Sequence, residues 1–352
     1  MLNALLGKFS KDIGIDLGSA ATKVYVEGRG IVIQEPSIVA FNTRTDQIVA
    51  IGKNAEKMYG KTPAHISVVR PIVNGVISDF EVTEKMLIHF ISKVHEQSFT
   101  FLPRPRVVIG IPLDSTEVER KAVEDILLSA GAREVILIEK PMATAIGARL
   151  PIHESIGSMV VDFGAGKTEI AIISLGGVVT WKSHAIAGDE QNAMIIQYVR
   201  EHFNLLIGEQ VAEDVKTKIG SAVELPEPLS MHVRGRDLLN GLPREITLTD
   251  GEVREALQRS LRAMIEDIKA TIEVTPPELV ADIYERGMIL AGGGAMLRGM
   301  DKAIGKATEI PIRVADDPTT CVVRGTGIIL EAPEEYHDII IPSARGEAAY
   351  RS

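Results

Sequence analysis

Apolar and polar positions alternate with a period of two in three successive runs near the start of the chain, Ile13 to Leu17, Thr22 to Glu27 and Ile31 to Ile33. Successive side chains of a strand point to opposite faces, so this spacing predicts three strands. Gly18 and Gly28-Arg29-Gly30 supply the turns of a β-meander. The period then lengthens. Thr83 to Val94 places Leu87, Phe90, Ile91 and Val94 on one helical face. Thr116 and Glu119 form a capping-box start to a second helix that Gly131 ends. An apolar strand, Val107 to Ile111, lies between them, and Glu134 to Ile138 follows. A second meander begins at Met159 to Phe163 and Glu169 to Ser174.

The plan restarts in the letters as well as in the periodicity. Asp16-Leu17-Gly18-Ser19-Ala20-Ala21-Thr22-Lys23 aligns without a gap to Asp162-Phe163-Gly164-Ala165-Gly166-Lys167-Thr168-Glu169, at an offset of 146 residues. Duplication at that offset implies an α/β protein of two like-folded domains with a cleft between them. A turn of glycine and small residues lets backbone N–H groups approach an anion, and an Asp at a strand end can hold Mg²⁺ through water. One such turn is usually only a hairpin; two in register predict a polyphosphate clamp. Met288 to Ala291 followed by Gly292-Gly293-Gly294-Ala295 reads as strand, glycine turn and helix start, a third phosphate-friendly segment. Gly166-Lys167-Thr168 resembles the end of a P-loop, but that motif needs glycine where Val161 stands, and the residues after Thr168 alternate as a strand.

Composition narrows the classes. With 352 residues, 45% apolar and 24% charged, the chain is ordinary globular protein of about two domains. A formal net charge of −10 argues against an electrostatic nucleic-acid binder, and no nucleic-acid partner is expected. The single cysteine, Cys321, forms no internal disulfide, and Cys321 and Trp181 are expected to be core or part-buried packing. No window approaches the roughly 18 apolar residues of a spanning helix, and Met1 to Ser10 lacks the features of a secretory leader. A cytoplasmic protein is expected.

Further stretches are Glu35-Pro36-Ser37, Gly60-Lys61-Thr62-Pro63, Thr116 to Val123, Leu206 to Gln210, Arg286-Gly287-Met288 through Arg298-Gly299, and Asp317-Pro318 with Thr320-Cys321-Val322. With Asp16-Leu17-Gly18 they make the chain resemble the MreB family, the bacterial branch of the actin, Hsp70 and sugar-kinase superfamily. The resemblance implies an actin-like fold: two duplicated ribonuclease-H-like domains, each with a small inserted subdomain. The expected division is 1–34 and 75–148 for the first large subdomain, with 35–74 inserted. Residues 149–186 and 244–330 form the second, with a helical insertion at 187–243, and 331–352 is a tail. It further implies an ATP-binding protein that polymerises with itself, lies on the inner face of the cell membrane and works with cell-wall elongation proteins.

By the same resemblance Asp16 and Asp162 hold Mg²⁺, and Ser19, Ala20 and Ala21 with Gly164, Ala165 and Gly166 cradle phosphates. Gly292, Gly293, Gly294 and Ala295 contact the nucleoside, and the segment Ala212, Glu213, Asp214, Val215 and Lys216 reaches base and ribose. The residues themselves leave two readings of Glu213 and Lys216. They sit i, i+3 on the polar face of a helix Glu209 to Ile219, opposite Val211, Val215 and Ile219, as a nucleotide site or a solvated salt bridge.

Two departures bear on catalysis. The family's Glu-Glu-Pro is Glu139-Lys140-Pro141 here, and a Thr implicated in hydrolysis is Lys167. A lysine of ordinary pKa, about 10.4, cannot take a proton from water, whereas the roughly three added positive charges favour a bound triphosphate. Tight ATP binding with slow or absent hydrolysis is expected, unless burial lowers the Lys140 pKa or a one-residue shift brings Glu139 inward. Ala187-Gly188-Asp189 and Ser19-Ala20-Ala21 are milder departures.

Leu2, Leu5, Leu6 and Phe9 share one helical face, as an interfacial anchor or as a helix packed on its own domain. Relatives use such a helix or an apolar loop, and Phe99, Phe101 and Leu102 precede Pro103-Arg104-Pro105-Arg106. With the family admitted, shallow membrane insertion through the N-terminal segment, the Phe99 loop or both is expected, strengthened by polymerisation. The alternative is an ATP-dependent small-molecule kinase of the same superfamily, because fold does not fix function.

Overall fold

The computed structural model describes residues 10–96 and 104–341. The chain divides into two compact units, Met1–Ile156 with Ile173–Val178 and Thr319–Ser352, and Gly157–Ile172 with Val179–Pro318. Each is built around a five-stranded sheet.

In the first sheet the strands β1 (Ile13–Leu17), β2 (Ala21–Val26) and β3 (Gly30–Pro36) form the expected meander. β1 pairs antiparallel with β2, placing Asp16 opposite Lys23. Three further strands, β4 (Val39–Asn42), β5 (Gln47–Ile51) and β6 (Ile66–Val69), form a separate small sheet in the order β5-β4-β6, within the stretch expected as an insertion. Ile38, Ala40 and Ala55 make its own small core. The hairpin of β7 (Ile72–Val73) and β8 (Val76–Ile77) leads to the helix Phe80–His95. β9 (Arg106–Ile111) and β10 (Glu134–Glu139) then complete the order β10-β9-β1-β2-β3, with β9 parallel to both β1 and β10. The helix Phe80–His95 starts before the predicted Thr83, because the Asp79 side chain caps it by accepting from Val82 N–H. The capping box at Thr116 and Glu119 opens the helix Glu117–Ser129.

The second sheet repeats the order. β11 (Ser158–Phe163), β12 (Thr168–Ser174) and β13 (Gly177–His184) are its meander, and β17 (Met288–Ala291) and β18 (Ile312–Val314) its parallel side, giving β13-β12-β11-β17-β18. β11 is buried at every position. The second core runs from Met159, Val161 and Phe163 to Leu257, Leu261 and Ile268 of the 24-residue helix Asp250–Glu273. That helix opens on a second capping box, Thr249 with Glu252, which has the same spacing as the first and was not picked out from the sequence.

Three expectations change. The helical insertion at 187–243 holds the helices Gly188–Phe203 and Glu209–Ile219, but also β14 (Leu205–Leu206) and β15 (Ser230–Asp237). β15 pairs along its length with β16 (Pro243–Thr249), which carries the sheet past the predicted boundary. Residues 319–330 belong with the first unit, not the second: Thr326 Oγ1 and the backbone of Gly327 lie so close to Gly14 of β1 that a Cβ on Gly14 would come within 2.6 Å of that oxygen. Trp181 is 46% exposed, because edge strand β13 turns Val179 and Trp181 outward. Cys321 is buried as expected. No helix among the described residues is long and apolar enough to cross a membrane. Leu2, Leu5, Leu6, Phe9, Phe99, Phe101 and Leu102 lie outside the described residues.

Candidate functional site

The two glycine turns close with the same hydrogen bond. Gly18 N–H donates to Ala21 O at 3.2 Å, and Gly164 N–H donates to Lys167 O at 2.9 Å. In both turns a Cβ on the glycine would collide with that carbonyl, at 2.8 and 2.6 Å respectively, so the turn requires glycine by close approach. Asp16 and Asp162 precede these turns as the predicted pair, and both are buried.

In the first unit the turn is held from outside. Ser37 donates its hydroxyl to Gly18 O at 2.6 Å and its N–H to Ala20 O at 3.0 Å, and it shares a hydrogen bond with Thr22. Ser19 Oγ accepts from Gly75 N–H at 2.9 Å. Ser19 to Ala21, the residues expected to cradle phosphates, are thereby fixed by Ser37 and Gly75, neither of which was assigned a role from the sequence.

Asp16 faces two ammonium groups. Lys23 Nζ lies 3.1 Å from Oδ2 and Lys140 Nζ 3.7 Å from Oδ1, with the three side chains only 12, 11 and 9% exposed for Lys23, Lys140 and Asp16. Burial by itself would raise the Asp16 pKa, but Lys23 and Lys140 outweigh it and hold the carboxyl below its usual value. Lys140 also donates to Leu17 O at 3.0 Å. Lys140, the first residue of the helix Lys140–Gly147, therefore reaches the strand end where Asp16 sits. The one-residue shift that would substitute Glu139 is absent. Glu139 closes β10 half-buried, its pKa raised by burial against the opposing pull of Arg120.

This arrangement does not fit Mg²⁺ at Asp16. Each carboxylate oxygen already has an ammonium neighbour, and unit charges about 4 Å apart interact by about 4 kcal/mol at an effective dielectric near 20. A divalent cation there would be repelled by both lysines. The described residues contain no cluster of three or more His, Cys, Asp or Glu side chains able to hold a metal ion.

In the second unit, Gly188 N–H donates to Gly164 O at 3.2 Å and Asp189 N–H to Ala165 O at 2.8 Å. The turn is thus tied to the start of the helix Gly188–Phe203. Lys216 Nζ donates to Gly188 O at 2.8 Å and pairs with Glu213 at 2.9 Å. Both readings of that i, i+3 pair meet here. It is a salt bridge, yet Lys216 is largely buried beside the glycine turn rather than solvated. Asn192, itself buried, donates to Glu213 at 2.7 Å while its Oδ1 has no hydrogen-bond partner among the described residues. Ala212 and Val215 are buried on the opposite face with Ile219, and Asp214 pairs with Lys218 at the surface. Gly292, at φ 78°, would place a Cβ 2.2 Å from Phe163 O and 2.5 Å from Asp162 Oδ1, so the third glycine segment passes directly over the end of β11. The expected helix start there is a short 3₁₀ turn, Gly293–Met296, containing Gly294 and the buried Ala295.

Within the second unit, then, Asp162, the turn at Gly164, Lys216 and Gly292 are adjacent through these contacts. Lys23 was passed over. Its signal was the hairpin itself, since a short turn puts Lys23 across from Asp16.

The chain matches the model of the MreB/Mbl protein family over residues 10–338. It is 50% identical over 337 residues to the cell shape-determining protein MreB of Escherichia coli K12, covering 94% of this chain and 96% of the relative. It is 43% identical over 323 residues to the cell shape-determining protein Mbl of Bacillus subtilis, covering 92% and 96%. Among solved structures, MreB5 of Spiroplasma citri bound to AMPPNP superposes with a TM-score of 0.89 at 36% identity, covering 94% of this chain and 98% of that one. A MamK double helical filament shares the fold, with a TM-score of 0.77 at 21% identity over 92% and 99%. The fold is the actin-like one, and these relatives support a cytoskeletal role and not the small-molecule kinase alternative. The chain belongs to the MreB/Mbl family of cell shape-determining proteins.

Proposed function

We infer that this chain is an ATP-binding cytoskeletal protein that polymerises into membrane-associated filaments and organises cell-wall synthesis and cell shape, binding nucleotide tightly and hydrolysing it slowly or not at all. The observation that carries the nucleotide reading is the duplicated turn, with the same backbone hydrogen bond at Gly18 and Gly164. Ser19 to Ala21 and, past the Gly164 N–H that closes its own turn, Ala165 and Gly166 present backbone N–H groups to phosphates. Gly292 to Ala295 border the nucleoside, and Glu213 with Lys216 and the open Asn192 Oδ1 offer hydrogen-bonding groups to base and ribose. The relatives named for cell shape, and the MreB5 structure with AMPPNP, support the same reading.

Slow hydrolysis follows from Lys140. A protonated amine held by Asp16 and Leu17 O has no lone pair with which to accept a proton from attacking water, whereas it can hold a phosphate oxygen. Filaments multiply weak membrane contacts by avidity, so Leu2, Leu5, Leu6 and Phe9, with Phe99, Phe101 and Leu102, anchor the polymer better than the monomer.

The test is phosphate release in a single turnover with Mg-ATP and anionic liposomes, together with pelleting and retained-nucleotide assays. The wild type is expected to pellet with intact ATP, while Lys140→Glu combined with Lys167→Thr releases phosphate roughly a hundredfold faster, the usual scale of a general base. Equal rates would show the lysines to be neutral, and absence of pelleting would remove the filament reading.

A further inference from the structure

We propose that Lys23 and Lys140 replace the divalent cation at Asp16, so that this chain binds nucleotide phosphates on its own ammonium groups and does not need Mg²⁺ to do so. The proposal rests on the nucleotide reading above and concerns the first unit alone.

The trio is built rather than incidental. Lys23 is fixed by strand register, directly across the hairpin from Asp16. Lys140 is fixed by packing: its stem passes over Gly110 of β9, where any Cβ would come within 3.1 Å of both Lys140 Cγ and Val322 Cγ1. Its ammonium is then held by Leu17 O at 3.0 Å and Asp16 at 3.7 Å. One carboxylate between two ammonium groups leaves one positive charge, in a place where all three side chains are nearly buried. Such a cluster repels a cation and attracts an anion, and buried charges are screened little by solvent. It sits beside the turn whose backbone N–H groups face the same task. The role a divalent ion plays at a polyphosphate, neutralising oxygens while tethered to an aspartate, is thereby met by nitrogen donors that the chain carries permanently.

The test uses the full-length protein and ATP as probe, with affinity read by calorimetry in excess Mg²⁺ and again in excess EDTA. Wild-type affinity should change by less than about threefold, well under 1 kcal/mol by the usual conversion. Lys140→Met should make binding metal-dependent, weakening by about tenfold or more when Mg²⁺ is removed. Lys23→Met serves the same purpose should Lys140→Met not fold, and the wild-type pair of titrations decides the question without either variant. A wild type that loses about tenfold or more in EDTA overturns this proposal while leaving the nucleotide reading intact. No ATP binding in either buffer overturns both.

Discussion

The two glycine turns share backbone and differ in charge. Each follows a buried aspartate, closes with one N–H to carbonyl bond and begins the second strand of a meander. At the cross-strand position the first has Lys23 and the second, by the 146-residue offset, has the buried Glu169. The first is also crossed by Lys140, while the second is crossed by Gly292, which brings no side chain at all. Duplication therefore preserved the part set by backbone geometry. The charges differ, one at a cross-strand position inside the repeat and one on Lys140, which arrives from outside it, and the first turn is a cation-rich seat built on one carboxylate.

The comparison breaks most readily at Asp16. Asp16→Asn strands two nearly buried ammonium groups, and removing one partner of a buried ion pair costs about 3–5 kcal/mol, measurable by chemical denaturation. A loss under about 1 kcal/mol would show that the lysines are already satisfied without the carboxylate.

The shared backbone can be tested next. Gly18→Ala and Gly164→Ala each force a Cβ into the carbonyl that closes the turn, and each is expected to cost roughly 1–3 kcal/mol with similar values for the two. Unequal costs would show that one turn relaxes where the other cannot. Gly292→Ala combines a positive φ with a collision at Phe163 O and should exceed both.

Smaller effects sharpen the view that each unit has its own local signals. Thr116→Ala and Thr249→Ala remove equivalent capping boxes and should each lower stability by about 1 kcal/mol. The smallest effect concerns pH. Burial tends to raise Glu35, but the Lys53 N–H and Lys93 outweigh it and keep its carboxyl below the usual value. A carboxylate with a lowered folded-state pKa contributes stability above the unfolded-state value, about 4.3, and loses it as pH falls through the folded-state value. Glu35→Gln should therefore cost stability at pH 7, with the gap to wild type closing below about pH 4 in denaturant titrations.

Much of this was legible from the chain alone. β1, the helix Glu209–Ile219, β17 and the capping box at Thr116 fall where periodicity and caps put them, because those signals act over a few residues. The duplication was visible because turn chemistry fixes residue type, not merely polarity. The second capping box shows that a readable signal can still be missed. Ser37 and Gly75 are different, since nothing near them in sequence says that they brace a turn 19 and 56 residues away.

The sequence by itself determined the meanders and the glycine turns, because strand alternation and close backbone approach are local constraints on residue type; the resemblance to the family marked Lys140 and Lys167 as departures. The tertiary structure decided where one of those lysines points. Lys140 meets Leu17 across 123 positions only because β9 lies between β1 and β10 and offers Gly110 as a floor. It likewise decided that the C-terminal helix Cys321–Glu331 belongs with the first unit, where Gly14 leaves room for Thr326. Such placements depend on which buried surfaces meet, and packing free energy is a property of the folded pair rather than of either segment.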